Sequence, residues 1–566
     1  MTTATAGTAL ADKIDMQNRL FAELSAMFAR EVPLYGKSLL VNKACNEAVC
    51  RLLSKLHVGF AMADEELERS SGERHGAIRI GRRDEYRWIG RLFACFAMEP
   101  HNFYDMTAVG SKSQPVIATA FRSMSRPEHR VFTSLLVTDY FDAPTQARID
   151  ALLAQRSVFS ERAKQLIEKS ERHGGLDWAD ADALISECTG RIFKWTGKAR
   201  DHALYRELTA AGFKNAADIA CFQSHHLNHL TPNTFCMDLY TAAMKHCLGE
   251  FDAAWFEARA RAVLARLVQQ ADHDFMKLHF KHVPLEEIAA FGKGSVSAAD
   301  VAAIVAGLVA TFAGPEFALA KMTHAGFKDF TEGPSADTPV LLRQDSYRAI
   351  AEPVEFTEAD GSVVKTTHTA RFGEIEERFY ACTPKGRALY DACLAAADAV
   401  REKDPTWPKR DVAGYESAHA EPFKPFPKTL PELVDGGLVY VRYAPTAKGI
   451  AAGRAGAVAS TDLRELVRAG FADYEGLRYE DFLPVSAAGI FASNLQGHVA
   501  KSTAAVKPTY SQRLLEEILG RPIIDATAMY AAFEAESRLE TYARLGILDK
   551  VPASERAALE SIARTK

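Results

Sequence analysis

Between residues 73 and 141 the apolar pattern changes period in a fixed order, and that order narrows the architectures open to the chain more than any other feature. Residues 73–80 read as a short strand. Asp84 can cap a helix whose apolar face is Tyr86, Ile89, Phe93 and Phe96, and residues 101–106, 116–121 and 131–141 follow as strands. The order β-α-β-β-β predicts an α+β protein in which a small sheet is laid beside a helix.

The flanks predict a large helical complement. Residues 9–70 read as helical, with Leu20, Phe21, Leu24 and Phe28 on one apolar face and Val49, Leu52, Leu53 and Leu56 on a second. Residues 143–208 are helical again. A second β-like run, 219–238, opens another unit, followed by mainly helical sequence over 240–330 that includes 255–267 and 301–312. The latter starts behind a capping-box-like Ser297 and Asp300. Strand character returns at 340–342, 363–369 and 372–382, and Thr383-Pro384 reads as N-cap and N1 of a helix. Six prolines between 405 and 431 mark a long loop, 436–443 reads as a strand, and helices finish the chain. The expected organisation is an N-terminal helical segment (1–70), a first βαβββ module (71–142), a helical layer (143–215), a second βαβββ module (216–400) with a helical insertion at about 243–335, and a C-terminal region (401–566) that completes the pocket.

Composition sets outer bounds. The 566 residues carry 68 basic and 73 acidic side chains, so 68 − 73 gives a net charge of −5; with 48% apolar residues, this describes a packed protein rather than a disordered chain or a nucleic-acid polycation. Nine cysteines without a CxxC pair predict free thiols in a reducing compartment. The first residues carry no secretory pattern, and the longest apolar run, 301–314, falls short of the ~20 residues that cross a bilayer. The expectation is a cytoplasmic protein with neither a nucleic-acid nor a membrane partner.

Three segments carry metal-binding residue types in strand-like sequence: Glu73-Arg74-His75-Gly76-Ala77-Ile78-Arg79, His225-His226-Leu227-Asn228-His229-Leu230-Thr231-Pro232-Asn233, and Phe372-Gly373-Glu374-Ile375-Glu376-Glu377-Arg378. Two βαβββ units side by side bring their first strands together. Two histidines and a glutamate can then meet across ~300 residues as a 2-His-1-carboxylate triad, which leaves positions open on a ferrous ion for a chelating substrate and O₂. On a strand His225 and His229 share a face, and His225 is the competing ligand or a hydrogen-bonding neighbour.

Together with Glu480-Asp481-Phe482-Leu483-Pro484-Val485-Ser486-Ala487-Ala488-Gly489-Ile490-Phe491, these segments resemble the 2-oxoadipate dioxygenase/decarboxylase family of the vicinal oxygen chelate superfamily, in matching order over about residues 10–545. The 372–375 segment is also similar to the glutamate-ligand strand of 4-hydroxyphenylpyruvate dioxygenase. The resemblance implies Fe(II) ligands His75, His229 and Glu374, Arg79 as the carboxylate-binding arginine, and Val485 and Ser486 at the substrate end. Selection of His229 over His225 follows from the Asn-His-Leu-Thr-Pro match. The implied reaction decarboxylates and hydroxylates 2-oxoadipate to 2-hydroxyglutarate with O₂ and no second co-substrate, as in lysine degradation. Arg79 has a physical check: four residues beyond His75 on a strand it faces the same way, ~13 Å along at ~3.3 Å per residue. That spacing leaves room for a short diacid, and lysine there would be a poor substitute.

Two positions depart from the family pattern: Asn233 stands where an arginine is expected, and Phe379 where a glycine is usual. The helical stretch at 243–335 is longer than expected. Glu376 and Arg378 share the face of Glu374 and read as an ion pair, either near the metal or at a sheet rim; His273, His279 and His282, with Lys277 and Lys281, read as a solvated face, with a metal site as the alternative; Cys236 reads as inert packing; one face of 436–443, with Tyr440 and Arg442, can reach the pocket. The alternatives are another metalloenzyme on the same scaffold, either an isomerase or an oxygenase for a different 2-oxo acid, and a non-catalytic binding protein.

Overall fold

The computed structural model describes residues 9–72, 74–108, 113–323, 326, 331, 333–371, 373–483, 502–505 and 508–565. Two long helices open the chain, α1 (Lys13–Glu31) and α2 (Pro33–Leu56). The sequence runs helical through both, but Pro33 cannot continue α1 and instead takes the first position of α2. Leu20, Phe21, Leu24 and Phe28 are buried as their spacing predicts.

The first β-α-β-β-β run forms as read: β1 (Arg74–Ile80), α3 (Arg83–Ala94), β2 (Glu99–Asp105), β3 (Val116–Arg122) and β4 (His129–Leu136). Arg82, rather than Asp84, is the residue before the helix; Asp84 lies in the first turn, where its carboxylate takes Arg82 Nε at 2.8 Å. The five-stranded mixed sheet has the order β2-β3-β4-β1-β5, with β5 spanning His229–Pro232. β1 runs parallel to β4 and antiparallel to β5, in the register Arg74↔Pro232 and Ala77↔His229. The strands that carry His75 and His229 therefore lie side by side. Gly76 permits the approach: a Cβ there would stand 3.0 Å from the His229 carbonyl oxygen and 3.2 Å from Leu230.

The second series of strands is divided between smaller sheets. β6 (Leu342–Ser346) pairs antiparallel with β9 (Glu374–Arg378), while β7 (Ile350–Thr357) and β8 (Val363–Arg371) form a hairpin extended by Lys198–Arg200. The β-like reading of 219–238 is corrected: Ile219 belongs to helix α4 (Lys214–Cys221), α5 (Met237–Cys247) starts before the run ends, and four residues form the strand. A short apolar run has no period by which a buried helix differs from a buried strand.

The proline-rich stretch is corrected as well. It carries short helices at Trp407–Arg410, Val412–Ala420 and Leu430–Asp435, two of them with proline at an opening position where the missing N–H costs nothing. The late strand is Val441–Pro445, paired with Ala472–Gly476, which leaves Tyr440 just before it, stacked 6.2 Å from Tyr530, and Arg442 paired outward with Glu475. The capping box at Ser297 and Asp300 and the Thr383 cap are present. All nine cysteines are free and buried. Among the described residues no helix is long and apolar enough to cross a membrane.

Candidate metal centre

β1, β5 and β9 bring His75, His229 and Glu374 to one point. His75 Nε2 lies 3.3 Å from Glu374 Oε2 and His229 Nε2 lies 3.9 Å from Glu374 Oε1, with one donor atom of each residue within 4.8 Å of the others. Donors bonded at about 2.0–2.2 Å to one ion stand about 3–3.6 Å apart at octahedral or tetrahedral angles, so these three need only close slightly to share one. All three side chains are buried, and His229 Nε2 and Glu374 Oε1 have no hydrogen-bond partner. Burying such atoms unpaired is costly, so their convergence fits a bound cation.

Glu376, on the same face of β9, holds the other side of His75, with Oε1 2.9 Å from Nδ1. A proton on Nδ1 leaves the Nε2 lone pair for the metal, the usual outer support of a ligating imidazole. The Glu376–Arg378 pair read from the sequence exists, but it is buried beside His75 rather than at a rim: Arg378 Nη2 donates to Glu376 at 3.1 Å and Nη1 to the Asp481 carbonyl at 2.6 Å. Burial pushes the His229 pKa down to about 4 and keeps the ring neutral, as a ligand must be. At His75 burial works in the same direction, but Glu376 and Glu374 outweigh it and raise its pKa. The Glu480–Phe482 segment closes the site: Phe482 packs edge-on to His75 and to Phe132, each with ring centroids 5.6 Å apart.

Arg79 occupies the same face of β1 as His75. Its Nη1 donates to Asp218 Oδ2 at 2.7 Å and to Asn228 Oδ1. Asp218, on α4, is also approached by His226 Nε2 at 3.2 Å and His368 Nε2 at 3.4 Å. This second His-His-Asp cluster has donor separations that suit an ion, and Asp218 Oδ1, His226 Nε2 and His368 Nε2 likewise have no hydrogen-bond partner. Electrostatics decides against it: a divalent ion there would stand within about 5 Å of the guanidinium bonded to Asp218, a repulsion of about 7 kcal/mol at an effective dielectric of about 20. Burial opposes ionisation of Asp218, but His226, His368 and Arg79 overcome it and hold its carboxyl well below the usual range. The carboxylate is already matched by a cation.

The other candidates fall elsewhere. His225 lies before the short β5, fully buried near Glu85, with its Nε2 3.6 Å from that carboxylate, and takes no part in the triad. The expected solvated face at 273–282 is corrected: His279 and Lys277 are buried, Lys277 donates to Asp473 at 3.0 Å, and Lys281 pairs with Glu480. Their partners lie some 200 residues away, beyond the reach of helical periodicity. Asn233 holds the Ser70 carbonyl at 3.1 Å and accepts from Arg478 at 3.3 Å, a structural position, and Phe379 is buried. Cys236 is buried, its thiol pushed up to about 12 by burial. Val485 and Ser486 lie outside the described residues. Sequence reasoning missed Asp218 and His368, whose surroundings are ordinary helix and strand.

A family model described as 2-oxoadipate dioxygenase/decarboxylase matches residues 20–255 and 317–494. The interval between the two matches falls within the helical stretch expected at 243–335. A 2-oxoadipate dioxygenase/decarboxylase of Pseudomonas putida is 34% identical over 524 residues, covering 91% of this chain and 94% of that protein. One from Escherichia coli is 31% identical, covering 93% and 97%. The crystal structure of the hydroxyglutarate synthase of Pseudomonas putida in complex with 2-oxoadipate superposes with a TM-score of 0.65 at 30% identity, covering 95% of this chain and 99% of that one. With a family model matched over more than half its length and relatives above 30% identity along nearly all of it, this chain is an enzyme of the 2-oxoadipate dioxygenase/decarboxylase family.

Proposed function

We propose that the chain is an Fe(II)-dependent dioxygenase that converts 2-oxoadipate and O₂ into 2-hydroxyglutarate and CO₂, a step of lysine catabolism, in a fold of two βαβββ modules joined along β1 and β5. The equation balances as written: one oxygen atom of O₂ enters the carboxyl carbon formed from C2, the other becomes the new hydroxyl, and C1 leaves as CO₂. The observation that carries the reading is the convergence of His75, His229 and Glu374, with His229 Nε2 and Glu374 Oε1 buried and unpartnered, in a member of this family.

His75, His229 and Glu374 would hold the iron, which when bound supplies O₂ activation and the oxidation itself. Glu374 offsets one of the two positive charges, which leaves one for the C1 carboxylate of a 2-oxo acid. Glu376 fixes the tautomer and orientation of His75. Phe482 and Phe132 give the histidine an apolar wall that keeps water from its flank. Arg79 would take the distal carboxylate of the substrate. Asp218 and Asn228 both occupy Nη1, and among the described residues nothing bonds to the Nε–Nη2 edge, whose two parallel N–H groups match a carboxylate.

Metal analysis of protein purified without oxygen, followed by O₂ uptake, CO₂ release and mass spectrometry of the product, tests the reading. Equal O₂ and CO₂ with 2-hydroxyglutarate is the expected result. Conversion that consumes no O₂ would point to an isomerase on the same scaffold, and an inert complex to a binding protein.

A further inference from the structure

The Asp218 cluster is built more elaborately than an ion pair requires. Asp218 is buried on α4; its Oδ2 takes Arg79 Nη1 at 2.7 Å, and its Oδ1 faces the ring nitrogens of His226 and His368 at 3.2 and 3.4 Å. His368 is held from behind by the Tyr205 hydroxyl, 2.9 Å from Nδ1. When that hydroxyl donates, the remaining ring proton lies on Nε2 and faces Asp218. Trp195 packs against both imidazoles, with ring centroids 4.7 Å from His226 and 5.7 Å from His368. The carboxylate is therefore enclosed by rings on the side away from Arg79.

A guanidinium is a planar fork, and a fork bonded at one prong can still swing about that bond. Asp218 and Asn228 accept from the same nitrogen, Nη1, from two separate elements, α4 and the residue preceding β5. Two acceptors on one nitrogen define the plane of the whole group and leave the opposite Nε–Nη2 edge to a ligand. Asp218 lies on α4, outside the His75–His229–Glu374 triad. Its influence on a reaction would pass through Arg79.

We propose that Asp218 is a positioning residue that, together with Asn228, orients Arg79 for a bidentate grip on the distal carboxylate and thereby sets the preference for a 2-oxo diacid over a 2-oxo monoacid. This rests on the reading of Arg79 as the distal-carboxylate partner.

The test compares kcat/KM for 2-oxoadipate and for 2-oxohexanoate, which has the same chain length without the distal carboxylate, in the iron-loaded protein and its Asp218→Asn and Arg79→Lys variants. Asp218→Asn keeps an acceptor of the same shape and removes the charge. The expected result is a fall of about tenfold or more in the diacid-to-monoacid ratio, carried mainly by KM for 2-oxoadipate, as the loss of a charge-assisted hydrogen bond implies. Equal losses on both substrates would mean a merely structural role and overturn the proposal, as would an unchanged ratio. If Arg79→Lys abolishes the preference while Asp218→Asn leaves it, only the positioning role falls. If wild-type protein shows no preference, or Arg79→Lys retains it, the reading of Arg79 falls and takes this proposal with it. Should Asp218→Asn fail to fold, Asn228→Ala removes the other acceptor from Nη1 and is read by the same ratio.

Discussion

His75 is engaged at both ring nitrogens, with Nε2 toward Glu374 and Nδ1 on Glu376, and this double engagement separates it from the many buried histidines that merely pack. A donor facing the site and a carboxylate behind one predict different losses. His229→Ala removes a donor that has no other partner, so the variant should fold yet lose metal-dependent turnover; an active, metal-replete variant would remove this residue from the ligand set. Glu376→Gln leaves all three donors in place but weakens the hold on Nδ1, and metal affinity should drop by about 10- to 100-fold, read by competition with a chelator of known strength. The nearness of Glu376 to Glu374 is legible, because alternate residues of a strand share a face. Its contact with His75 is not, because that depends on how β9 sits against β1. Asp218 and His368 had no signal at all: one lies in the apolar end of a helix and the other in a hairpin strand, 150 residues apart, and their meeting at Arg79 is purely tertiary.

At the scale of elements, the candidate metal centre depends on how closely β5 lies against β1. Gly76 sets that distance, and Gly76→Ala would place a methyl 3.0 Å from the His229 carbonyl oxygen, backbone that cannot turn aside. The strands must part, at a cost of about 1–3 kcal/mol for an overpacked site. His229 moves with its own carbonyl, so the variant should show both a lower urea midpoint and weaker metal binding; a destabilised protein with undiminished affinity would uncouple the strand pairing from the site. The β-α-β-β-β run was legible because its periods alternate cleanly and each strand is flanked by turns. The strands after residue 216 were not. They are divided by a long helical stretch and fall in separate sheets, and four residues of β5 are too few for any period to show. The prolines between 405 and 431 misled for a related reason, since a proline that opens a helix and one that interrupts a loop look alike until the following turn is seen.

Across the whole molecule, buried ion pairs join segments that the chain keeps far apart. Arg122 holds Asp481 at 3.0 Å, Arg130 holds Glu480 at 2.6 Å, and Arg371 bridges Glu352 and Glu31, so the C-terminal region and α1 are tied to the sheets that carry the site. A near-neutral composition conceals this, because it counts charges and not their partners. The same burial makes stability respond to acid through histidines outside the candidate metal centre. His279, whose neighbours Arg478 and Lys281 add to the effect of burial, has its pKa lowered to about 3, and its Nε2 has no hydrogen-bond partner. Its folded value lies below the unfolded value of about 6.5, so its contribution is complete above pH 6.5 and is lost as pH falls, because the unfolded chain takes up the proton first. Between pH 7 and 5 that loss is about 2 kcal/mol. Carboxyl groups act in the opposite sense over part of this range: Glu377, raised to about 6 chiefly by burial, gains stability as pH falls from 6 toward its unfolded value. The net slope therefore blends both, and the informative quantity is a difference between proteins. His279→Phe keeps a ring against Phe275, now 4.2 Å away, and has nothing to titrate. Urea unfolding of the parent should weaken between pH 7 and 5 by about 2 kcal/mol more than that of the variant, while parallel pH profiles would mean that His279 takes up its proton without unfolding.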